Sequence, residues 1–252
     1  MSVNPRHRAS HRTPRRRVEP PPSPLAERVL FIDGEAMVID KPAGLPVDPP
    51  RDGSLSLENH FAGLTFGFAR WPVAVHRLDR DTSGCLLLAR NPKSAARFTA
   101  AFENRAVEKV YLAVLDGVPE GEEGTIDMPL GKTSTREDGW RMVPDPKKGK
   151  AAVSHWRVLA VRDGRALVRF TPETGRTHQL RTHALNGLGI GILGDPVYRA
   201  DNASDWPGSL LLHARRITLA RDGKAPVDAI APVPALFAQA GFPDAEALDA
   251  QP

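Results

Sequence analysis

One cysteine, Cys85, stands in a chain of 252 residues. A lone thiol forms no internal disulfide and builds no cysteine-cluster metal site, so Cys85 reads as a small core hydrophobe. No apolar run approaches the roughly 20 residues needed to cross a bilayer, and no membrane partner is expected. His-Glu-x-x-His is missing, and His178 and His183 stand five apart rather than the four of a helical metal pair. Neither a phosphate loop nor Gly-x-Gly-x-x-Gly occurs, which leaves nucleotide hydrolysis and dinucleotide redox chemistry unsupported. No metal and no cofactor are expected.

Acidic residues are missing from the start of the chain. Residues 1–18 hold six Arg and no Asp or Glu, so the net charge of +4 becomes −2 for everything after residue 18. The sequence pI near 9.4 therefore reflects a tail. Within the body, residues 141–181 carry ten Lys/Arg against three Asp/Glu, a better electrostatic footprint for a nucleic acid. Residues 1–25 are rich in Arg, His, Pro and Ser and are expected to be a disordered basic tail. Without an apolar stretch after the charges, a secretory signal is not expected, and the prolines oppose the amphipathic helix of a transit peptide. A phosphate-binding arm and a solvated tail without function are the two readings left.

The body has the composition of a soluble globular protein, 41% hydrophobic and 25% charged. Strand-like runs at Val29–Ile32 and Met37–Ile39 flank a hairpin turn at Asp33-Gly34. Ser54 is placed to cap a helix through about Leu64, and Asn91-Pro92 to start one carrying Ala95, Phe98, Ala101 and Phe102. Glu108–Val114 has strand composition, Gly117–Gly124 reads as an acidic turn, and Thr133–Lys150 as a long polar connection. Ser154–Val161 and Ala166–Phe170 form a hairpin at Asp163-Gly164. A helix follows from Arg176 to about Asn186, ended by Gly187. Leu210–Leu212 and Ile217–Leu219 are two further strands, and Leu236 and Phe237 sit in a last helix. Many short strands with few helices and no regular alternation predict an α+β fold. Residues 26–240 read as one domain and 241–252 as a flexible C-terminus.

The densest polar sequence is His76-Arg77-Leu78-Asp79-Arg80-Asp81-Thr82-Ser83-Gly84, running directly into Cys85-Leu86-Leu87-Leu88-Ala89. It predicts a polar turn held by a buried strand, the setting in which loops carry chemistry. Taken alone, such a string is more often a surface turn rich in capping residues. Tyr111 supplies an aromatic face with a hydroxyl, and a strand tyrosine is ordinarily core. Arg176-Thr177-His178-Gln179-Leu180-Arg181-Thr182-His183 supplies cations and amides at a helix start, where free N–H groups favour anions.

The nine-residue string resembles the signature of the RluA-type family of RNA pseudouridine synthases. The resemblance continues at Val38–Leu45 (VIDKPAGL), Glu108–Ala113 (EKVYLA), Thr174–His183 (TGRTHQLRTH), Ile192–Tyr198 (ILGDPVY) and Leu210–Ala214 (LLLHA), in the family's order. It implies a pseudouridine-synthase-like catalytic domain with a mainly antiparallel or mixed sheet, flanking helices and a central RNA-binding cleft. The family's small N-terminal RNA-binding domain is not seen; the Arg/Pro tail takes its place. Carried over residue by residue, Asp79 is the catalytic carboxylate, Tyr111 the active-site tyrosine and Arg181 the basic partner of Asp79. Arg77 matches an arginine pushed into the RNA stack, and Arg80, Lys109, Arg176, His178 and Gln179 are the further RNA-binding candidates.

The reaction implied detaches uracil from its ribose and rejoins it through carbon 5, in ribosomal or transfer RNA, with no cofactor. Asp79 can attack the anomeric carbon, add to the ring or abstract a sugar proton, and all three routes stay open. Arg181 would favour the ionised carboxylate. Reaching the base requires flipping it out of the RNA, at a few kcal/mol. A cytoplasmic monomer is expected. The competing readings are a hydrolase using Asp79 and Asp81, and a non-catalytic RNA-binding protein.

Overall fold

The computed structural model describes residues 23–135 and 139–251, so the readings of the basic tail up to residue 22 lie outside the described residues. Asp33 closes the first hairpin by accepting N–H bonds from Glu35 and Ala36, which sets Val29–Ile32 (β1) antiparallel to Ala36–Lys41 (β2). Val73–Ala74 (β3) and Ser83–Ala89 (β4) follow, then helix Pro92–Glu103 (α1), whose Asn91 cap accepts the Ser94 N–H at 2.9 Å. Next come Val107–Leu115 (β5), Glu123–Asp127 (β6), Leu130–Thr135 (β7), Gly139–Pro144 (β8), Val153–Arg162 (β9) and Arg165–Pro172 (β10). Gln179–Leu188 (α2), Leu212–Arg221 (β11), Lys224–Ile230 (β12), Ala235–Gln239 (α3) and Ala245–Asp249 (α4) complete the chain.

Ten strands form one mixed sheet in the order β1-β2-β4-β11-β5-β10-β9-β6, with β12 on β11 and β3 on β4. Helices pack on both faces, and the architecture is α+β as expected. Period-two alternation sorts the core. Leu86 and Leu88 face Ile39, Leu57 and Phe61, while Cys85, Leu87 and Ala89 face Phe98 and Ile217. Leu112 and Val114 pack on Phe237 and Phe242, while Ala113 and Leu115 pack on Leu180 and Ala184. Each fully buried leucine of this kind stabilises the fold by roughly 1.5–3 kcal/mol.

Several boundaries depart from the sequence reading. The segment after Ser54 is a 3-10 helix, Leu57–Leu64, entered at Ser56, whose N–H donates to Asn59 Oδ1. The polar connection 133–150 takes in most of the hairpin β7–β8, whose first strand ends in a Thr- and Ser-rich run with little apolar signal. Helix α2 begins at Gln179 rather than Arg176, because His178 takes a left-handed backbone (φ 52°). It ends at Gly189 (φ 71°); Gly187 lies inside it, where a Cβ would press on Ile126. The two expected strands around residues 210–219 are one strand, β11, with a bulge between Ala214 and Arg216. Residues 241–252, expected to be flexible, include α4 and the buried Phe242 and Ala245. Asp249 ties that end down through Arg169 (3.0 Å) and Arg215 (3.1 Å).

Candidate active site

Asp79 sits in the turn that enters β4, and the turn is gripped from below. Lys41, fully buried at the end of β2, donates from Nζ to the carbonyls of Arg80 (2.9 Å), Pro42 (2.9 Å) and Leu45 (2.8 Å). The Gly44 N–H also donates to the Arg80 carbonyl. Burial pulls the Lys41 pKa down to about 8, against the charges of Asp81, Asp79 and Asp40. Leu78 and Thr82 are buried on either side of the loop. Gly84 (φ 104°) then lets β4 lie parallel to β11, since a Cβ there would overlap the Ala214 carbonyl. One row of paired residues consequently crosses the sheet: Lys41, Gly84, Ala214, Tyr111, Phe170 and Trp156. That row fixes Tyr111 relative to the Asp79 turn.

Above the turn, the start of α2 brings Arg181 and His178 to Asp79. Arg181 Nη1 donates to Asp79 Oδ2 at 3.3 Å, and His178 Nε2 lies 3.8 Å from Oδ1. The tighter partner of Arg181 is the fully buried Asp195, bound through Nε at 2.7 Å and Nη2 at 2.8 Å. Asp195 also accepts the N–H groups of Val197 and Tyr198. Burial opposes both charges, but each outweighs it for the other, raising the Arg181 pKa and lowering that of Asp195. The Tyr198 hydroxyl accepts the Met142 N–H at 2.8 Å and lies 2.9 Å from His178 Nδ1. Burial lowers the His178 pKa, so the ring is neutral at pH 7.

Asp79, His178 and Arg181 line a cleft of about 590 Å³ with Arg77, Tyr111 and Arg176. Among the described residues lining it, Asp79 is the one carboxylate; Asp81 lies outside and pairs with Arg80 at 3.3 Å. Burial, then Asp79, pushes the Tyr111 pKa up and keeps the phenol neutral. Of the expected RNA contacts, Arg77, Arg176, His178 and Gln179 line the cleft, and Lys109 lines a neighbouring cavity. Arg80 projects away beside Asp81. The Gln179 amide is used within the protein: its oxygen accepts from Thr174 Oγ1 and the Arg176 N–H, and its nitrogen donates to the Val153 carbonyl and Ser154 Oγ. The basic segment 141–181 is not one RNA-facing patch either. Arg162, Arg165 and Arg169 pair with Asp244, Asp116 and Asp249, and Arg181 with Asp195. Among the described residues, no group of three or more His, Cys, Asp or Glu converges as a metal site would.

The sequence profile of RNA pseudouridylate synthases matches residues 35–186, a span holding Asp79, Tyr111 and Arg181. The chain belongs to this family. An uncharacterised RNA pseudouridine synthase of Zymomonas mobilis is 59% identical over 218 residues, covering 86% of this chain and 99% of the relative. Ribosomal large subunit pseudouridine synthase D of the same organism is 38% identical over 188 residues, covering 71% of this chain and 57% of the relative. Synthase C of Rickettsia bellii is 35% identical over 196 residues, covering 77% and 64%. These relatives put the synthase in the RluA-type branch. The solved structure of human RNA pseudouridylate synthase domain containing 4 superposes with a TM-score of 0.71 at 29% identity, over 85% of this chain and 91% of that one.

Three parts of the synthase's site carried no role in the sequence reading. Lys41 was readable as a lysine inside an apolar strand, a position that demands partners. Asp195 and Tyr198 stand in the ILGDPVY block, yet nothing local ties them to Arg181 and His178. Trp140, stacked on His178 at 4.9 Å between ring centroids, sits in the hairpin that had read as a polar connection. His76 turned out to be structural. Its Nε2 accepts the Leu87 N–H at 2.9 Å, and burial pulls its pKa to about 3. No helix among the described residues is long and apolar enough to cross a membrane.

Proposed function

We propose that this synthase isomerises specific uridines of large-subunit ribosomal RNA, as a cytoplasmic monomer, with Asp79 as the catalytic carboxylate. The observation that carries the reading is the sharing of Arg181 between two carboxylates. Arg181 is bidentate on Asp195 and offers Asp79 a single longer contact. The three groups together bear one net negative charge, so Asp79 is oriented without being neutralised. Such a carboxylate is suited to attack the anomeric carbon or the uracil ring, or to take a sugar proton. The neutral Tyr111 offers the flipped base a face to stack on and a hydroxyl for proton relay. Arg77, exposed at the rim and paired among the described residues only with the exposed Asp48, is free to exchange that partner for RNA. The ribosomal substrate rests on what relatives C and D are named for.

Asp79→Asn tests the assignment. Incubated with unmodified large-subunit ribosomal RNA transcript, the wild type should yield pseudouridine on nucleoside analysis and the variant none, with RNA binding kept. Turnover above a trace by Asp79→Asn sinks the role of Asp79. Free uracil as product would mean hydrolysis, and conversion confined to transfer RNA would move the substrate class.

A further inference from the structure

Beside the Asp79 cleft lies a second, larger cavity of about 980 Å³. Arg77, Tyr111, Thr174, Gly175 and Arg176 wall both spaces, which makes them adjoining compartments of one groove. The far compartment is closed by Phe102, stacked on His76 at 4.4 Å, and by Lys109. Lys109 stands two residues before Tyr111 on β5, on the same face of the sheet and about 6.6 Å along it.

The ammonium of Lys109 is the unusual group. The side chain is half-buried, yet among the described residues none gives it an ion pair or a hydrogen bond. Burial alone acts on its pKa, pulling it down. The carboxylates lining the cavity are engaged or remote: Glu173 turns to His155 at 2.7 Å, and Glu103 is exposed at the rim. A desolvated cation without a partner lowers the stability of the free protein. A counter-charge brought by the ligand removes that cost. Arg105 and Arg176 add positive charge around the same space.

Resting on the assignment of the Asp79 cleft to a flipped uridine, we propose that this cavity receives the nucleotide adjoining that uridine, with Lys109 Nζ paired to its phosphate. The RNA strand would run past Tyr111 from one compartment to the next. Lys109 acts here as a binding residue that sets the register of the strand, and not as a catalytic one.

Full-length Lys109→Met and Lys109→Arg, assayed with the same ribosomal RNA transcript, provide the test. Lys109→Met should bind about tenfold more weakly, the worth of one charge-assisted contact. Its plot of log affinity against log salt should be shallower by about 0.7–0.9. The loss should appear in the half-saturating RNA concentration rather than in the rate at saturation. Its Tm should match or exceed that of the wild type, because an unpaired charge has left the interior. Lys109→Arg should restore the salt slope. An unchanged affinity and slope in Lys109→Met overturns the inference, and so does a lowered Tm, which would reveal an internal partner. If the wild type converts no uridine in any RNA, the failure belongs to the assigned activity. If the wild type converts uridine and Lys109→Met keeps the wild-type slope, the failure is confined to this subsite.

Discussion

Asp195→Asn is the most informative single change in the molecule. Asn is nearly the same size, so the change creates no cavity, but it removes a charge from a fully buried position. Asp195 now accepts four hydrogen bonds, two from Arg181 and one each from the Val197 and Tyr198 N–H groups. An amide offers one oxygen in place of two and turns two N–H donors toward donors. Among the described residues, the Arg181 guanidinium, about 5% exposed, is left with Asp79 at 3.3 Å as its one carboxylate. Breaking a buried pair in this way costs roughly 3–5 kcal/mol. For a chain of this size each kcal/mol moves Tm by about 2–4 °C, so a fall of about 6–20 °C is expected. Catalysis should suffer separately, because Arg181 would turn its full charge on Asp79. Thermal unfolding and single-turnover pseudouridine formation, both run well below the lowered Tm, read the two effects apart. Arg181→Met with Asp195→Leu should regain part of the lost stability, though not all, since the Val197 and Tyr198 N–H groups stay orphaned. A wild-type Tm with full turnover in Asp195→Asn would refute the reasoning.

Lys41→Met leaves three carbonyls around the Asp79 turn without their donor, and both Tm and turnover should fall; unchanged turnover would show that the clamp does not position Asp79. The same lysine has a pH signature. Its folded pKa of about 8 lies below the 10.5 of an exposed lysine, so between these values the unfolded chain holds a proton that the folded chain has released. Its contribution to unfolding free energy should therefore rise with pH across that window and stay flat below it. Urea unfolding of the wild type minus Lys41→Met at pH 7 and pH 10 measures this, and a falling difference would reverse the sign. Gly84→Ala combines a left-handed φ with overlap of the Ala214 carbonyl; it should cost well over 1 kcal/mol and impair turnover, and wild-type unfolding would show that β4 and β11 are not so closely paired.

What was legible in the sequence was local. The Asp33-Gly34 and Asp163-Gly164 turns, the Asn91-Pro92 helix start and the apolar β4 each carry their signal within a few residues. Asp79, Tyr111 and Arg181 were found as motif residues, and they do line one cleft. What stayed hidden depends on contacts between distant segments. Arg162, Arg165 and Arg169 counted as RNA-facing charge until their acidic partners came into view. Gln179 looked like a polar ligand because its four internal partners lie on other segments or around a turn. The start of α2 was missed because His178 adopts a left-handed backbone, which is uncommon for residues other than glycine and is not announced by the sequence.

The place of β11 has a consequence for how the protein is born. The strand is formed by residues 212–221, late in the chain, yet it lies in the middle of the sheet between β4 and β5. On its N-terminal side stand β1, β2, β3 and β4, and beyond β5 stand β10, β9 and β6. A nascent chain that has not yet released residue 221 thus holds two unjoined half-sheets, each with an open edge where β11 belongs. The Asp79 turn rides on one half and Tyr111 on the other. Contacts such as Ser83 Oγ to His213 Nδ1, 130 residues apart, can close only after that strand has emerged, and such long-range closure slows folding. A ribosome-bound fragment ending before that strand should therefore be inactive, however much of the motif it contains.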